Sequence, residues 1–179
     1  FKDETGARGG LCESVRWIEG YERVAEQARQ MPLTRLVYVA DREGDIVELM
    51  RRARDLGEPA DWLIRSRHDR PLGKGAAKLS VALQQRPVLG EVEFTLAARQ
   101  GVKARRVRQE LRVLRTQWPD GKGGVVEASV VLASEIGAPA GIKPVQWRLL
   151  TNRPVDTPEQ VAELIDWYCA RWVIEILFH

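Results

Sequence analysis

Cysteine is scarce in this sequence, long apolar runs are missing, and neither sign of charge dominates. Of the 179 residues two are cysteines, Cys12 and Cys169, far apart in unrelated surroundings and at no metal-ligand spacing. Free thiols of an intracellular protein are the expected state. No apolar stretch has the length of a membrane span and no signal-peptide pattern is present, so we expect a cytoplasmic chain with no membrane partner. The formal net charge is +3 and the pI near 9.1, a balance that permits nucleic-acid binding without demanding it. There is no internal repeat and no low-complexity tract. No methionine opens the chain, and no C-capping signal closes the apolar helical run that reaches His179, which leads us to expect a fragment of a longer protein.

What is there is the composition of a globular domain, 44% hydrophobic and 30% charged, long enough for one core and an inserted subdomain. Residues 1–10 are polar, glycine-bearing and without period. From Glu13 to Gln30, Trp17, Tyr21, Val24, Ala25 and Ala28 recur at helical spacing, with Gly20 as a blemish. Arg35–Ala40 is a β-branched and aromatic run of the kind found in strands buried on both faces. The spacing predicts a second helix from about Asp45 to Leu56, ended by Gly57, and a strand over Asp61–Ser66. Helix, strand, helix, strand at these lengths reads as an α/β unit with a right-handed crossover.

After a basic link the texture changes. A short helical piece, Ala76–Gln85, precedes extended runs at Val88–Ala97, Ala104–Gln117, Gly124–Ser134 and Pro144–Thr151, with Pro119-Asp120-Gly121 as a turn. Consecutive strands on short turns predict an antiparallel sheet inserted into the α/β unit. The last stretch is the strongest helix, with Thr157 as N-cap, Pro158 in the first turn and Val161, Leu164, Ile165, Tyr168, Arg171, Trp172 and Glu175 on one face. The organisation expected is therefore a first core part at 1–66, a β-rich insertion at 67–151 and a closing helix at 152–179.

Four places carry chemistry. Asp41 stands at the carboxyl end of a predicted strand, where ligands gather in open α/β sheets, and no glycine-rich phosphate loop adjoins it. Either Asp41 or Asp45 could instead cap the next helix, and for Asp45, preceded by Gly44, that is the preferred reading. On the closing helix, an apolar stripe turns into Tyr168, Arg171 and Glu175; this is either an internal Arg171–Glu175 ion pair or a metal or phosphate site. Asp41 and Glu175 on separate rigid elements are the oxygen donors that a hard cation such as Mg²⁺ requires. Lys103–Arg115 holds six basic residues and one acid, Glu110; as a strand it places Arg106, Arg108 and Arg112 on one face, a phosphate-facing surface or a solvated one. Trp147 is either core or a stacking platform for a base.

The Asp41-Arg42-Glu43 turn and the Tyr168, Arg171, Glu175 series resemble the bacterial DDE transposases with the "YREK" signature, in the IS-four group and of the Tn-five type. Glu13-Ser14, Trp17, Ile64-Arg65-Ser66-Arg67-His68 and Trp147-Arg148-Leu149-Leu150-Thr151 fall at matching offsets. The resemblance implies a ribonuclease-H-like core, its first strands missing, interrupted by an antiparallel β insertion. It implies cut-and-paste DNA transposition through a hairpin intermediate, by hydrolysis and strand transfer at transposon ends with two Mg²⁺ or Mn²⁺ ions. Asp41 and Glu175 would be catalytic metal ligands, Tyr168 and Arg171 would hold phosphates, Trp147 would stack on a flipped base, and Arg65 would be a further DNA contact. The partners implied are double-stranded transposon-end DNA and, in the complete DNA-bound protein, a second copy. The first catalytic aspartate would lie upstream of Phe1, with Asp3 a poor substitute, and the signature lysine past His179. The chain alone would then bind metal weakly and catalyse nothing. Two alternatives stand beside this: a non-catalytic DNA-binding remnant or inhibitor, and a small-molecule phosphotransferase with Asp41 as nucleophile.

Overall fold

A computed structural model describes residues 13–73, 75–96 and 103–177, and over 172–177 the course of the helix without its side chains. Helix α1 (Glu13–Gln30) leads into strand β1 (Val37–Ala40), a 3-10 turn (Arg42–Gly44), α2 (Val47–Asp55) and β2 (Asp61–Arg65). A short α3 (Leu79–Gln84) precedes β3 (Gly90–Leu96), β4 (Arg105–Pro119), β5 (Val125–Glu135) and β6 (Gln146–Thr151), and α4 (Pro158–Leu177) follows. The fold is mixed α/β. The six strands among the described residues form one sheet in the order β1-β2-β6-β5-β4-β3, with β1 and β2 parallel and every other pair antiparallel. The strands of 67–151 therefore continue the sheet of the α/β unit through the β2–β6 pairing.

Period-two alternation assigns each strand residue to one of two cores. Trp62 and Ile64 of β2, Val130 of β5 and Leu150 of β6 face α1, α2 and α3, where Tyr21, Ala25, Leu49, Ala53 and Leu83 are buried. Leu63, Val131, Ala133, Trp147 and Leu149 face the other way, onto Val161, Leu164, Ile165 and Tyr168 of α4. The apolar stripe of α4 thus meets a sheet surface of its own. Its start is fixed by a capping box: Thr157 Oγ1 accepts from Gln160 N at 3.3 Å, while Gln160 Oε1 accepts from the backbone of Thr157 and Asp156.

β1 is packed by α1 on one face and α4 on the other, and it is half-buried at its open edge, because among the described residues it has one strand neighbour, β2. Two sequence expectations are corrected by tertiary partners. Gly20 is no blemish: a Cβ there would lie 2.8 Å from the hydroxyl of Tyr38, which donates to Trp17 O, so glycine is what lets β1 lie against α1. Asp45 is not the N-cap of α2; Ile46 holds that position without a side-chain bond. The Asp45 side chain instead turns inward, 1% exposed, and accepts from Arg67 N at 2.6 Å and His68 N at 2.9 Å, with Arg70 paired to it at 2.6 Å. A carboxylate that far from water needs such partners, and they tie the link after β2 to the turn after β1.

Candidate functional site

Alternation along β1 sends Val37 and Val39 towards α4, and Asp41, just past the strand end, emerges on the same side. Its carboxylate does two things. Oδ1 caps the 3-10 turn by accepting from Arg42 N at 2.8 Å, which fixes the carboxylate's direction. The same oxygen accepts from the Tyr168 hydroxyl at 3.3 Å, while Oδ2 accepts from Arg171 Nη2 at 3.2 Å. Arg65, at the end of β2, donates to the Tyr168 hydroxyl at 3.2 Å and lies 3.9 Å from Asp41 Oδ1. Parallel neighbours end together, which is why Asp41 and Arg65 meet. The one-turn spacing of Tyr168 and Arg171 then puts both above them.

The group is electrostatically mixed. Asp41 is 30% exposed, between guanidiniums of Arg65 and Arg171 that are 21% and 20% exposed. The Tyr168 ring is wholly buried, with the Arg171 guanidinium 5.6 Å and that of Arg65 6.0 Å from its centroid. Burial raises the Tyr168 phenol above its ordinary value, with the Arg65 charge opposing, so at neutral pH the hydroxyl is a donor. The aromatic contact continues: Trp147, 3% exposed, meets Tyr168 edge-on at 5.8 Å and stacks on Phe94 at 5.2 Å with the rings 23° apart. Trp147 is a core residue that buttresses the tyrosine.

The expected site residues thus divide. Asp41, Arg65, Tyr168 and Arg171 touch, and Trp147 lies directly behind them. Glu175 is one turn beyond Arg171 on α4, and its side chain lies outside the described residues. Arg106, Arg108 and Arg112 do share a face of β4, but carboxylates answer them there: Arg106 pairs with Glu93 at 3.1 Å, Arg108 with Glu91 at 3.5 Å and Arg112 with Glu110 at 2.8 Å. The count of one acid to six bases missed this because Glu91 and Glu93 sit on β3 and reach the arginines only through strand pairing.

Sequence reasoning also missed a second cluster. Arg148 of β6 donates to Ser66 Oγ at 3.0 Å, Asp69 Oδ1 at 3.1 Å and His68 O at 3.1 Å, and Asp69 holds the start of α3 through Ser80. The signal available was the run Ser66-Arg67-His68-Asp69-Arg70 itself, polar and dense in side chains that bond at short range.

A divalent cation wants hard oxygen donors. Asp41 supplies such a donor at a fixed position, and its Oδ2 keeps a lone pair beyond the bond from Arg171. Among the described residues no group of three His, Cys, Asp or Glu side chains gathers, so other ligands, Glu175 first, would have to complete the set. The arginine beside Asp41 would have to share or yield the carboxylate. No helix among the described residues is long and apolar enough to cross a membrane. No protein-family model matches the chain, so the chemistry of this site rests on its own residues.

Proposed function

We propose that the chain is part of the catalytic core of a DDE-type DNA transposase, with a ribonuclease-H-like arrangement around Asp41. The observation that carries this reading is the meeting of Asp41, at the carboxyl end of a parallel strand, with Tyr168 and Arg171 one turn apart on α4. Those three residues, with Glu175 in the next turn, are the ones through which the sequence resembles that family.

In this reading the substrate is a phosphodiester of transposon-end DNA. Arg171 and Arg65 meet its charge, and guanidinium suits the purpose because it stays protonated and presents paired donors to phosphate oxygens. Tyr168, held protonated by burial, donates either to Asp41 or to a phosphate oxygen. Asp41 and Glu175 would hold Mg²⁺ or Mn²⁺, which when bound makes a water or a 3′-hydroxyl nucleophilic and stabilises charge on the leaving oxygen. Arrival of a phosphate at Arg171 would weaken its hold on Asp41 and leave that carboxylate open to the cation. A second reading, a DNA-binding remnant without catalysis, draws on the two arginines that already neutralise Asp41.

The test is cleavage of a supercoiled plasmid carrying the inverted ends that flank the gene, with Mn²⁺, by the protein in its full natural length and by its Asp41→Ala variant. End-specific nicks that vanish in the variant are expected. Binding of end DNA by both proteins without cutting by either would leave the remnant reading.

A further inference from the structure

Beside Asp41, on the other side of the Arg42 turn, the structure holds a cleft of about 350 Å³ between the ends of β2 and β6 and helix α3. Four arginines line it, Arg42, Arg65, Arg67 and Arg148, and no carboxylate does. Two of the four are committed. Arg65 serves Tyr168 and Asp41, and Arg148 serves Asp69, Ser66 and the carbonyl of His68. The side chains of Arg42 and Arg67 are exposed, and among the described residues neither has an ion pair or side-chain hydrogen bond.

Their backbones, in contrast, are fixed. Arg42 N is bound by the Asp41 carboxylate, and Arg67 N by the buried carboxylate of Asp45. Two uncommitted guanidiniums are thus displayed from rigid positions into one concavity whose neighbouring carboxylates, Asp41 and Asp69, already face Arg65 and Arg148. Like charges so placed repel each other, and an anion between them relieves the repulsion. The exposed Gln84 amide of α3 adds a neutral donor at the rim.

We propose that this cleft is a phosphate-binding subsite in which Arg42 and Arg67 hold the backbone of a nucleic-acid strand beside the position at Asp41. It rests on the reading of the Asp41 site as one that acts on nucleic acid, and it adds to that site the register of the strand. Contact through phosphate rather than base gives position without sequence preference.

The experiment uses the 179-residue chain in EDTA, a fluorescent DNA duplex and a salt series, so that no catalysis enters. Each phosphate contact contributes a slope of about −0.9 to log K against log salt on duplex DNA. The Arg42→Gln/Arg67→Gln variant should therefore bind more weakly with the slope flattened by about 1.8. The Arg42→Lys/Arg67→Lys variant should keep the slope. Both residues are exposed and, among the described residues, unpaired, so the melting temperature should not move; if it does, the lysine pair, which keeps the charge, still reads the contact. A slope unchanged in the glutamine variant would overturn the proposal. Normal slopes lost in the variant, together with a full-length protein that never cuts, would leave the subsite standing and remove the transposase reading. Cutting with an unchanged slope would do the reverse.

Discussion

Trp147 is buried against Phe94 and Tyr168, and a base could stack on its ring only after Phe94 had moved. Truncation there should therefore cost stability before it costs anything else. Trp147→Ala is expected to lower unfolding free energy by about 3–5 kcal/mol in urea titrations, as large-to-small changes in cores do, with Trp147→Phe milder. A shelf residue without a packing role would give Trp147→Ala full stability and weak DNA binding, the opposite pattern. Tyr168→Phe makes the companion case: it keeps the ring and removes one hydroxyl between Arg65 and Asp41, so a loss of about 0.5–1.5 kcal/mol is expected. The direction of Trp147 was legible in the strand itself, because alternation sets it with Leu149 and apart from Gln146 and Arg148. Phe94, its stacking partner, was not, since it lies 53 residues away in sequence, on a strand that reaches Trp147 only once the sheet has formed.

Helix and strand identities followed from periodicity because they are local properties. What joins one element to the next is not. Asp45 illustrates the difference: beside Gly44 and before an amphipathic run it has the sequence of a helix cap, yet its partners are Arg67, His68 and Arg70, more than 20 residues on. Removing the carboxylate leaves two backbone N–H groups and a guanidinium, 12% exposed at its side chain, without their acceptor. Asp45→Ala should destabilise by about 3–5 kcal/mol, the range for breaking a buried pair by one partner, whereas Thr157→Ala at the α4 cap should cost about 1 kcal/mol. Chemical denaturation of both variants checks the contrast. Equal, small losses would mean that Asp45 is dispensable to the link between β2 and α3. If Asp45 holds Arg67 in place, its loss should also flatten the salt dependence of DNA binding towards that of the arginine variant.

The α/β unit and the strands that continue its sheet are joined by the β2–β6 pairing and also at the far end of the β4–β5 hairpin. There Arg51 donates to Asp120 O at 3.0 Å, Arg54 donates to Val125 O at 2.6 Å, and Arg54 pairs with the Asp120 carboxylate at 2.9 Å, docking the turn on α2. The turn itself was plain from Pro119-Asp120-Gly121. Its landing place was not, because nothing local to either segment names the other. Asp120 is the group through which this docking titrates. The backbone N–H of Lys122 leads the causes, with that of Gly124 and the Arg54 guanidinium, and together they hold the carboxyl at about 2, below its ordinary 3.8. A depressed carboxylate binds its proton less readily in the folded state than in the unfolded one. Its contribution is therefore complete above the ordinary value and disappears as pH falls towards about 2. Thermal melts of the wild type and Asp120→Asn should accordingly differ by a constant interval from neutral pH down to the ordinary carboxylate range. Below that the interval should narrow, closing near the depressed value. An interval that stayed constant through the acid range would show that the charge of Asp120 contributes nothing, and that the neutral hydrogen bonds of the turn alone dock the hairpin on α2.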